Sequence, residues 1–157
     1  MNAGLHYSTD EGVSWTKATM NGFISDSIFN LSAHPTRKEI IAIGSEDGIF
    51  ISDDYGENFK SMNDAKMVTY ITLNETGGYY TNFDNDSVYL KSFLFESDEE
   101  IDVQLPKDLK MDPIIFIAVN PENQKEIVLT TNNNNIFITK DEGLSWDKLA
   151  SNGELTK

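Results

Sequence analysis

The chain has 157 residues, no cysteine and a formal net charge of −14. Its length suits one domain with a sizeable core, and the lack of thiols excludes a disulfide scaffold and any thiolate zinc site. The negative charge would repel nucleic acid and anionic membrane surfaces, and no apolar run approaches the roughly 18 residues that cross a bilayer. We therefore expect no nucleic-acid partner and no direct membrane insertion.

Three stretches of the chain, Leu5–Trp15, Ile49–Phe59 and Ile136–Trp146, share one pattern. An apolar strand leads to a hydroxyl residue, then to an Asp, a Gly and an aromatic. The pattern predicts a tight turn in which the Asp accepts backbone hydrogen bonds and the Gly supplies a positive φ. The aromatic is expected to begin the return strand and to bury its ring over the hairpin.

The residues that carry this pattern are Ser8, Asp10, Gly12 and Trp15, then Ser52, Asp54, Gly56 and Phe59, and finally Thr139, Asp141, Gly143 and Trp146. Turn chemistry accounts for all of them, so we expect a structural role rather than a catalytic one. The pattern resembles the Asp-box, or bacterial neuraminidase (BNR), repeat, Ser-x-Asp-x-Gly-x-Thr-Trp. The first and third copies match it nearly fully, whereas the middle copy departs from it at Asn58 and Phe59.

The resemblance implies that each box lies between the third and fourth strands of a β-propeller blade, on the face away from the ligand. The whole chain is similar to the C-terminal part of bacterial extracytoplasmic Asp-box propellers that carry a glycosyl hydrolase label. It is similar more distantly to sortilin-type and photosystem-assembly propellers, which bind partners without catalysis. An extracytoplasmic location is implied by this resemblance alone.

The spacing of the boxes predicts the number of blades. Asp10 and Asp54 are 44 residues apart, and Asp54 and Asp141 are 87 residues apart, close to twice that period. A fixed period of this length is typical of a repeat architecture. We therefore predict an all-β fold, a partial β-propeller of about three and a half blades, each with four antiparallel strands.

In chain order, residues 4–20 contain one strand, a box and a return strand, which together are the outer half of a blade. An uncovered sheet edge there would be an aggregation hazard. We favour a chain that is part of a longer polypeptide, and self-association through the open half blade is the alternative. Residues 26–62 form the first complete blade, with predicted strands at Ile28–Ala33, Ile40–Ile43 and Ile49–Ser52.

Residues 67–105 are predicted to be a degenerate blade. Strands are expected at 67–73, 79–83 and 88–95, and a solvated acidic turn at 96–100 replaces the box. Residues 101–105 then return by strict alternation of apolar and polar side chains. Residues 113–150 repeat the first complete blade and begin with Ile114–Val119, whose first residues are apolar on both faces, as expected between two neighbouring blades.

The rim opposite the boxes carries the polar residues of the remaining hairpins and of the links between blades. Its candidate binding residues are Glu46, Asp47, Asn63, Asp64, Asn133 and Asn134. Three carboxylates, Asp84, Asp86 and Asp112, are the weaker candidates for the acid and base of a glycosidase. All of these are also ordinary turn residues.

Several enzymatic and metal-binding functions lack the residues that they need. The active site of a sialidase resembles a cluster of three arginines around the carboxylate of the substrate, and Arg37 is the only arginine in this sequence. The acidic run has no Gly-pivoted loop for Ca²⁺, and His6 and His34 have no partners at metal-ligand spacing. We therefore expect no metal and no cofactor.

Two functions remain. The favoured one is a non-catalytic binding or scaffolding module, a portion of a larger propeller with an unknown protein or carbohydrate ligand. The alternative is a glycoside hydrolase of the Asp-box propeller type that uses the rim carboxylates.

Overall fold

The structure is a computed structural model that describes residues 4–97, 99–109 and 111–156. Its strands are β1 (His6–Tyr7), β2 (Thr16–Lys17), β3 (Ile28–Ala33), β4 (Ile41–Ser45), β5 (Gly48–Ser52), β6 (Lys60–Asn63), β7 (Val68–Leu73), β8 (Gly77–Asp84), β9 (Ser87–Leu94), β10 (Glu100–Asp102), β11 (Ile114–Asn120), β12 (Asn123–Thr131), β13 (Ile136–Thr139), β14 (Asp147–Ser151) and β15 (Glu154–Leu155). Asp98, which belongs to the predicted acidic turn, lies outside the described residues. No helix in the described part of the chain has the length and hydropathy needed to cross a bilayer.

The strands form four antiparallel sheets in which neighbours in sequence are also neighbours in the sheet. We call β1–β2 the half blade, β3–β6 the first blade, β7–β10 the second blade and β11–β15 the third blade. The inner strands β3, β7 and β11 pack on one another in that order. This arrangement confirms the predicted all-β fold, a partial β-propeller.

Apolar side chains on both faces of the second blade hold the sheets together. On β8, Tyr80 packs with Ile49 and Val68 in the core toward the first blade. Its neighbour Tyr79 packs with Ile127 in the core toward the third blade. Because adjacent residues of a strand point to opposite faces, this Tyr-Tyr pair contributes one large ring to each interface, where burial of such a side chain stabilises the fold by about 1.5–3 kcal/mol.

The third blade has a fifth strand that the sequence analysis does not predict. β14 continues to Ser151, and β15 pairs Leu155 with Ala150. Asn152 and Gly153 join the two strands with φ values of 51° and 86°, which are the positive values of a type I′ turn. The Asn-Gly dipeptide is a recognised hairpin signal, so this strand could have been predicted.

Two further expectations about strands are wrong. β10 ends at Asp102, so the predicted return strand over residues 101–105 is shorter, although Val103 N still donates to Leu90 O at 2.8 Å. β11 is not covered on both faces, because Phe116 is 58% exposed. Of the neighbouring blades, the second packs against this inner strand through β7.

Candidate functional site

The repeated turns at residues 52–59 and 139–146 join the third and fourth strands of their sheets, and the turn at residues 8–15 joins the two strands of the half blade. In the last of them, Asp141 Oδ1 accepts hydrogen bonds from Thr139 Oγ1 at 2.7 Å and from Ser145 N at 2.8 Å, and Oδ2 accepts from Ser145 Oγ at 2.6 Å. The middle turn keeps this geometry without the second hydroxyl, because Asn58 Nδ2 donates to Asp54 Oδ2 at 2.7 Å. Local hydrogen bonds therefore occupy these carboxylates.

These hydrogen bonds also change the ionisation of the turn carboxylates. The Ser14 hydroxyl is the main cause that lowers the pKa of Asp10 to about 2, and the Ser145 hydroxyl is the main cause that lowers the pKa of Asp141 to about 2. Each donor favours the charged form that it binds. The carboxylates thus remain ionised at neutral pH.

The middle and last repeated turns also form an interface with the preceding sheet. A Cβ atom on Gly143 would lie 2.5 Å from Val103 Cγ1, and one on Gly56 would lie 2.6 Å from Leu5 Cδ2. Trp146 Nε1 donates to Gln104 O at 2.7 Å. The turn glycine is therefore needed for close packing as well as for its positive φ.

The first repeated turn differs, because no described sheet precedes the half blade. Trp15 is 64% exposed, so the expectation that its ring is buried over the hairpin is wrong, whereas Phe59 in the middle turn is buried and Trp146 is partly buried. The first turn thus leaves its aromatic exposed, with no described sheet packed against it.

The predicted rim residues lie on the face opposite the repeated turns, but they fall into two groups. Asn133 and Asn134 belong to the β12–β13 hairpin of the third blade. The other residues lie around the first and second blades, where Met67 N donates to Glu46 O at 3.1 Å and Lys66 Nζ lies 3.8 Å from Asp47 Oδ1.

The three candidate catalytic carboxylates do not form one site in the described contacts. Asp112 is buried, and it accepts hydrogen bonds from Asn133 N at 3.0 Å and from Asn135 Nδ2 at 2.8 Å. It therefore holds the β12–β13 hairpin, and its role as a candidate acid or base stays a prediction. Asp84 and Asp86 are exposed at the β8–β9 hairpin. Among the described residues, no group of three His, Asp or Glu side chains could hold a metal ion.

A groove of about 480 Å³ lies on the rim between the first and second blades, and we call it the rim groove. Its lining residues are Asn63, Asp64, Ala65, Lys66, Tyr80, Asn82, Asp84, Tyr89, Lys91 and Glu100. The structure thus brings three of the predicted residues, Asn63, Asp64 and Asp84, to one groove.

A network centred on Glu100 lines one side of the rim groove. Glu100 accepts hydrogen bonds from Tyr80 OH at 2.8 Å and from Asn63 Nδ2 at 2.5 Å, and Lys91 Nζ lies 3.6 Å from it. Burial and the hydrogen bond to Glu100 raise the pKa of Tyr80. The prediction that Glu100 belongs to a solvated turn is therefore wrong, because Glu100 lies in β10. Alternation along β8, which places Tyr80, Asn82 and Asp84 on one face, could have revealed this site.

Asn82 supplies the unusual feature of the rim groove. Its side chain is only 7% exposed, and its Oδ1 atom has no hydrogen-bond partner among the described residues. A buried acceptor that stays unpaired costs about 1–3 kcal/mol. The groove therefore offers an acceptor for a ligand that donates hydrogen bonds.

A second groove, of about 540 Å³, lies between the second and third blades on the face of the repeated turns, and we call it the turn-side groove. Its lining residues are Asn74, Thr76, Gly78, Tyr79, Ser92, Phe93, Leu94, Glu99, Ile101, Asp102, Val103, Gln104, Gln124, Glu142, Gly143 and Leu144. The predicted site residues include only Gly143 from this set.

Comparison with known proteins shows similarity in structure alone, since no protein-family profile and no curated protein sequence matches the chain. The structure of YCF48 bound to D1 peptide has a TM-score of 0.62 at 17% identity and covers 78% of this chain and 39% of that chain. YCF48 from Cyanidioschyzon merolae has a TM-score of 0.63 at 11% identity and covers 78% of this chain and 37% of that chain. An ancestral GH74 enzyme has a TM-score of 0.63 at 15% identity and covers 94% of this chain and 21% of that chain.

The chain thus spans less than two fifths of the length of these solved structures. At such low identities the likeness concerns the fold, which hosts both binding proteins and enzymes. The chain forms consecutive blades of a β-propeller.

Proposed function

We propose that this chain is a non-catalytic binding module and that its rim groove holds an extended segment of a protein partner. The observation that carries the proposal is the buried Asn82 Oδ1 atom without a partner in the wall of a groove. A donor group of the ligand would pair with this acceptor and remove the cost of leaving it unsatisfied.

The charges around the groove indicate a cationic donor. Asp64 and Asp84 are exposed lining residues. The two lysines of the groove already have acidic neighbours, since Lys66 lies 3.8 Å from Asp47 and Lys91 lies 3.6 Å from Glu100. An Arg or Lys side chain of the partner would therefore be attracted to the two aspartates.

The rim groove supports a binding role better than glycoside hydrolysis. Of the three candidate catalytic carboxylates, only Asp84 lines it, beside Asp64 and Glu100. Both aspartates are exposed and Glu100 is bound by Tyr80 and Asn63, whereas a glycosidase needs a general acid in surroundings that favour its protonated form. One solved structure of similar fold is a complex with a peptide, which supports a peptide ligand by analogy of fold.

We further propose that the three repeated turns are Asp boxes and that the chain is one portion of a larger propeller. The shared hydrogen bonds of Asp10, Asp54 and Asp141 support the first statement. The small share of each similar structure that the chain covers supports the second.

A displayed library of random peptides, selected on the purified chain, tests the binding role. We expect the selected peptides to be rich in Arg and Lys. We expect Asp84→Asn and Asn82→Leu each to weaken their binding about tenfold, the effect of losing one charged or buried hydrogen bond. Fluorescence anisotropy of a synthetic selected peptide gives the dissociation constants.

Glu122→Gln, at an exposed turn of the third blade, is the matched control and should bind as the wild type does. Equal affinity for all variants would contradict the rim groove as the site. Hydrolysis of aryl glycosides by the wild type, lost in Asp84→Asn, would contradict the non-catalytic role.

A further inference from the structure

The turn-side groove occupies a place that is filled at the other interface of this kind. Between the half blade and the first blade, Tyr7 of β1 stacks on Tyr55 of the middle repeated turn, with ring centroids 5.6 Å apart. These two rings lie between the strand that leads into one repeated turn and the repeated turn of the next sheet.

Ser92 corresponds to Tyr7 in the second blade. Each residue lies two positions after a leucine whose carbonyl accepts a hydrogen bond from the returning chain, at 2.9 Å for Leu5 and at 2.8 Å for Leu90. A small hydroxyl side chain thus replaces the first of the two rings.

Glu142 corresponds to Tyr55 in the third blade. Each residue precedes the Gly of its repeated turn, and each donates its backbone N–H to a carbonyl at 3.0 Å, that of Glu39 for Tyr55 and that of Lys125 for Glu142. A carboxylate therefore replaces the second ring, and the groove between the second and third blades stays open.

The lining of this open groove combines apolar walls with negative charge. Leu94, Ile101 and Leu144 are 51%, 56% and 76% exposed. Glu99, Asp102 and Glu142 lie among them, and the described lining contains no Lys or Arg, although Lys91 Nζ lies 3.6 Å from Asp102 Oδ1. The charge of Glu142 adds to burial in raising the pKa of Tyr79, which lines the same groove. The volume of about 540 Å³ lies in the range of ligand sites.

We propose that the turn-side groove is a docking site for a basic segment of a partner protein. Apolar side chains of that segment contact Leu94, Ile101 and Leu144, and its Arg or Lys side chains pair with Glu99 and Glu142. Charge complementarity selects this partner over an acidic or neutral one. The proposal is independent of the rim groove, which lies on the opposite face.

The test refills the groove with the aromatic pair of the other interface. The variant carries Ser92→Tyr together with Glu142→Tyr, and its folding is checked by circular dichroism and thermal unfolding. The probe is a fluorescent synthetic peptide of alternating Leu and Arg, with a Leu-Glu peptide for comparison, both measured by anisotropy at physiological ionic strength.

Glu11→Tyr is the matched control. Glu11 has the same place in the first repeated turn, where it is exposed, so the substitution removes the same charge and adds the same ring without filling a groove. We expect the Leu-Arg peptide to bind the wild type and Glu11→Tyr equally, and to bind the refilled variant at least about tenfold more weakly, as expected when apolar contact and charge are both lost.

Glu142→Gln keeps the groove open and should weaken binding of the Leu-Arg peptide several-fold, which tests the charge even if the double variant does not fold. Asp84→Asn should bind this peptide as the wild type does, which separates the result from that of the rim groove. No binding to the wild type, or equal binding to the refilled and wild-type chains, would overturn the proposal.

Discussion

At the scale of single residues, the aspartates of the repeated turns show how one carboxylate can determine a backbone conformation. Asp141 accepts hydrogen bonds from two side chains and one backbone N–H of its own turn. Because Ser145 is exposed, its N–H and hydroxyl would otherwise bond to water, and the carboxylate instead holds them in the conformation of the turn. The ionised carboxylate is therefore part of the turn, and its protonation should weaken the turn.

This dependence predicts a loss of stability in acid. The folded pKa of Asp141 is lowered to about 2, below the value of about 3.9 for unfolded Asp. The stabilisation is therefore fully present above about pH 4 and is lost as the pH falls toward about 2. We expect Asp141→Asn to be less stable than the wild type at neutral pH, and the difference between their urea midpoints to shrink as the pH falls through this window.

Asp53→Asn, at the exposed neighbouring position of the middle turn, controls for the change in net charge. The difference between its urea midpoint and that of the wild type should not shrink as the pH falls. A difference between Asp141→Asn and the wild type that stays constant with pH would show that the hydrogen bonds do not depend on the charge of Asp141.

At the scale of the structural elements, one turn motif has two different packing environments. Gly12 and Gly143 have similar φ values, 87° and 91°. Around Gly143 a Cβ atom would meet Val103 at 2.5 Å, whereas around Gly12 the nearest atom belongs to Trp15, at 3.9 Å. The backbone requirement is therefore shared by the two turns, and the packing requirement is not.

A pair of alanine substitutions separates these two requirements. Gly12→Ala should lower the free energy of unfolding by at most about 2 kcal/mol, which is the cost of a left-handed conformation for a residue with a Cβ. Gly143→Ala should add about 1–3 kcal/mol more, because the methyl group overpacks the interface with Val103. Urea unfolding measures both, and equal effects would show that Val103 moves aside at little cost.

The difference between local and long-range contacts explains how much of this molecule could be predicted. The repeated turns were predictable because Ser52 and Asn58, the partners of Asp54, each lie within four residues of it. The role of Glu100 was not, since its partners Tyr80 and Asn63 lie 20 and 37 residues away. The pairing of β10 with β9 brings Glu100 close to Tyr80 of β8, and the packing of the first blade on the second adds Asn63.

The two tryptophans also show that contacts between residues far apart in sequence determine how a side chain is buried. Trp15 and Trp146 have the same place in the motif, and local sequence cannot distinguish their environments. Trp146 is partly buried because the link after β10 lies beside it, and Trp15 is exposed because no described sheet precedes the half blade. The location of the turn-side groove also depends on such a neighbour, since it needs both Ser92 and the third blade.

At the scale of the whole molecule, the sheets form a series in which the members differ in how much of their surface is covered. The second blade packs against a neighbour on each face. In the half blade the described pairing is short, His6–Tyr7 with Thr16–Lys17, and Ile28, Phe29 and Leu31 of β3 remain exposed. Stability should therefore decrease from the second blade toward the half blade.

Amide hydrogen exchange tests this gradient. We expect the amides of β8, which is hydrogen bonded on both edges, to exchange only through global unfolding. Those of β1 and β2 should exchange through local opening that costs little free energy. Mass spectrometry of peptides from each strand, at two protein concentrations, gives the comparison. Equal protection of β1 and β8 at both concentrations would contradict the gradient, whereas protection of β1 and β2 that rises with concentration would indicate self-association through the open half blade.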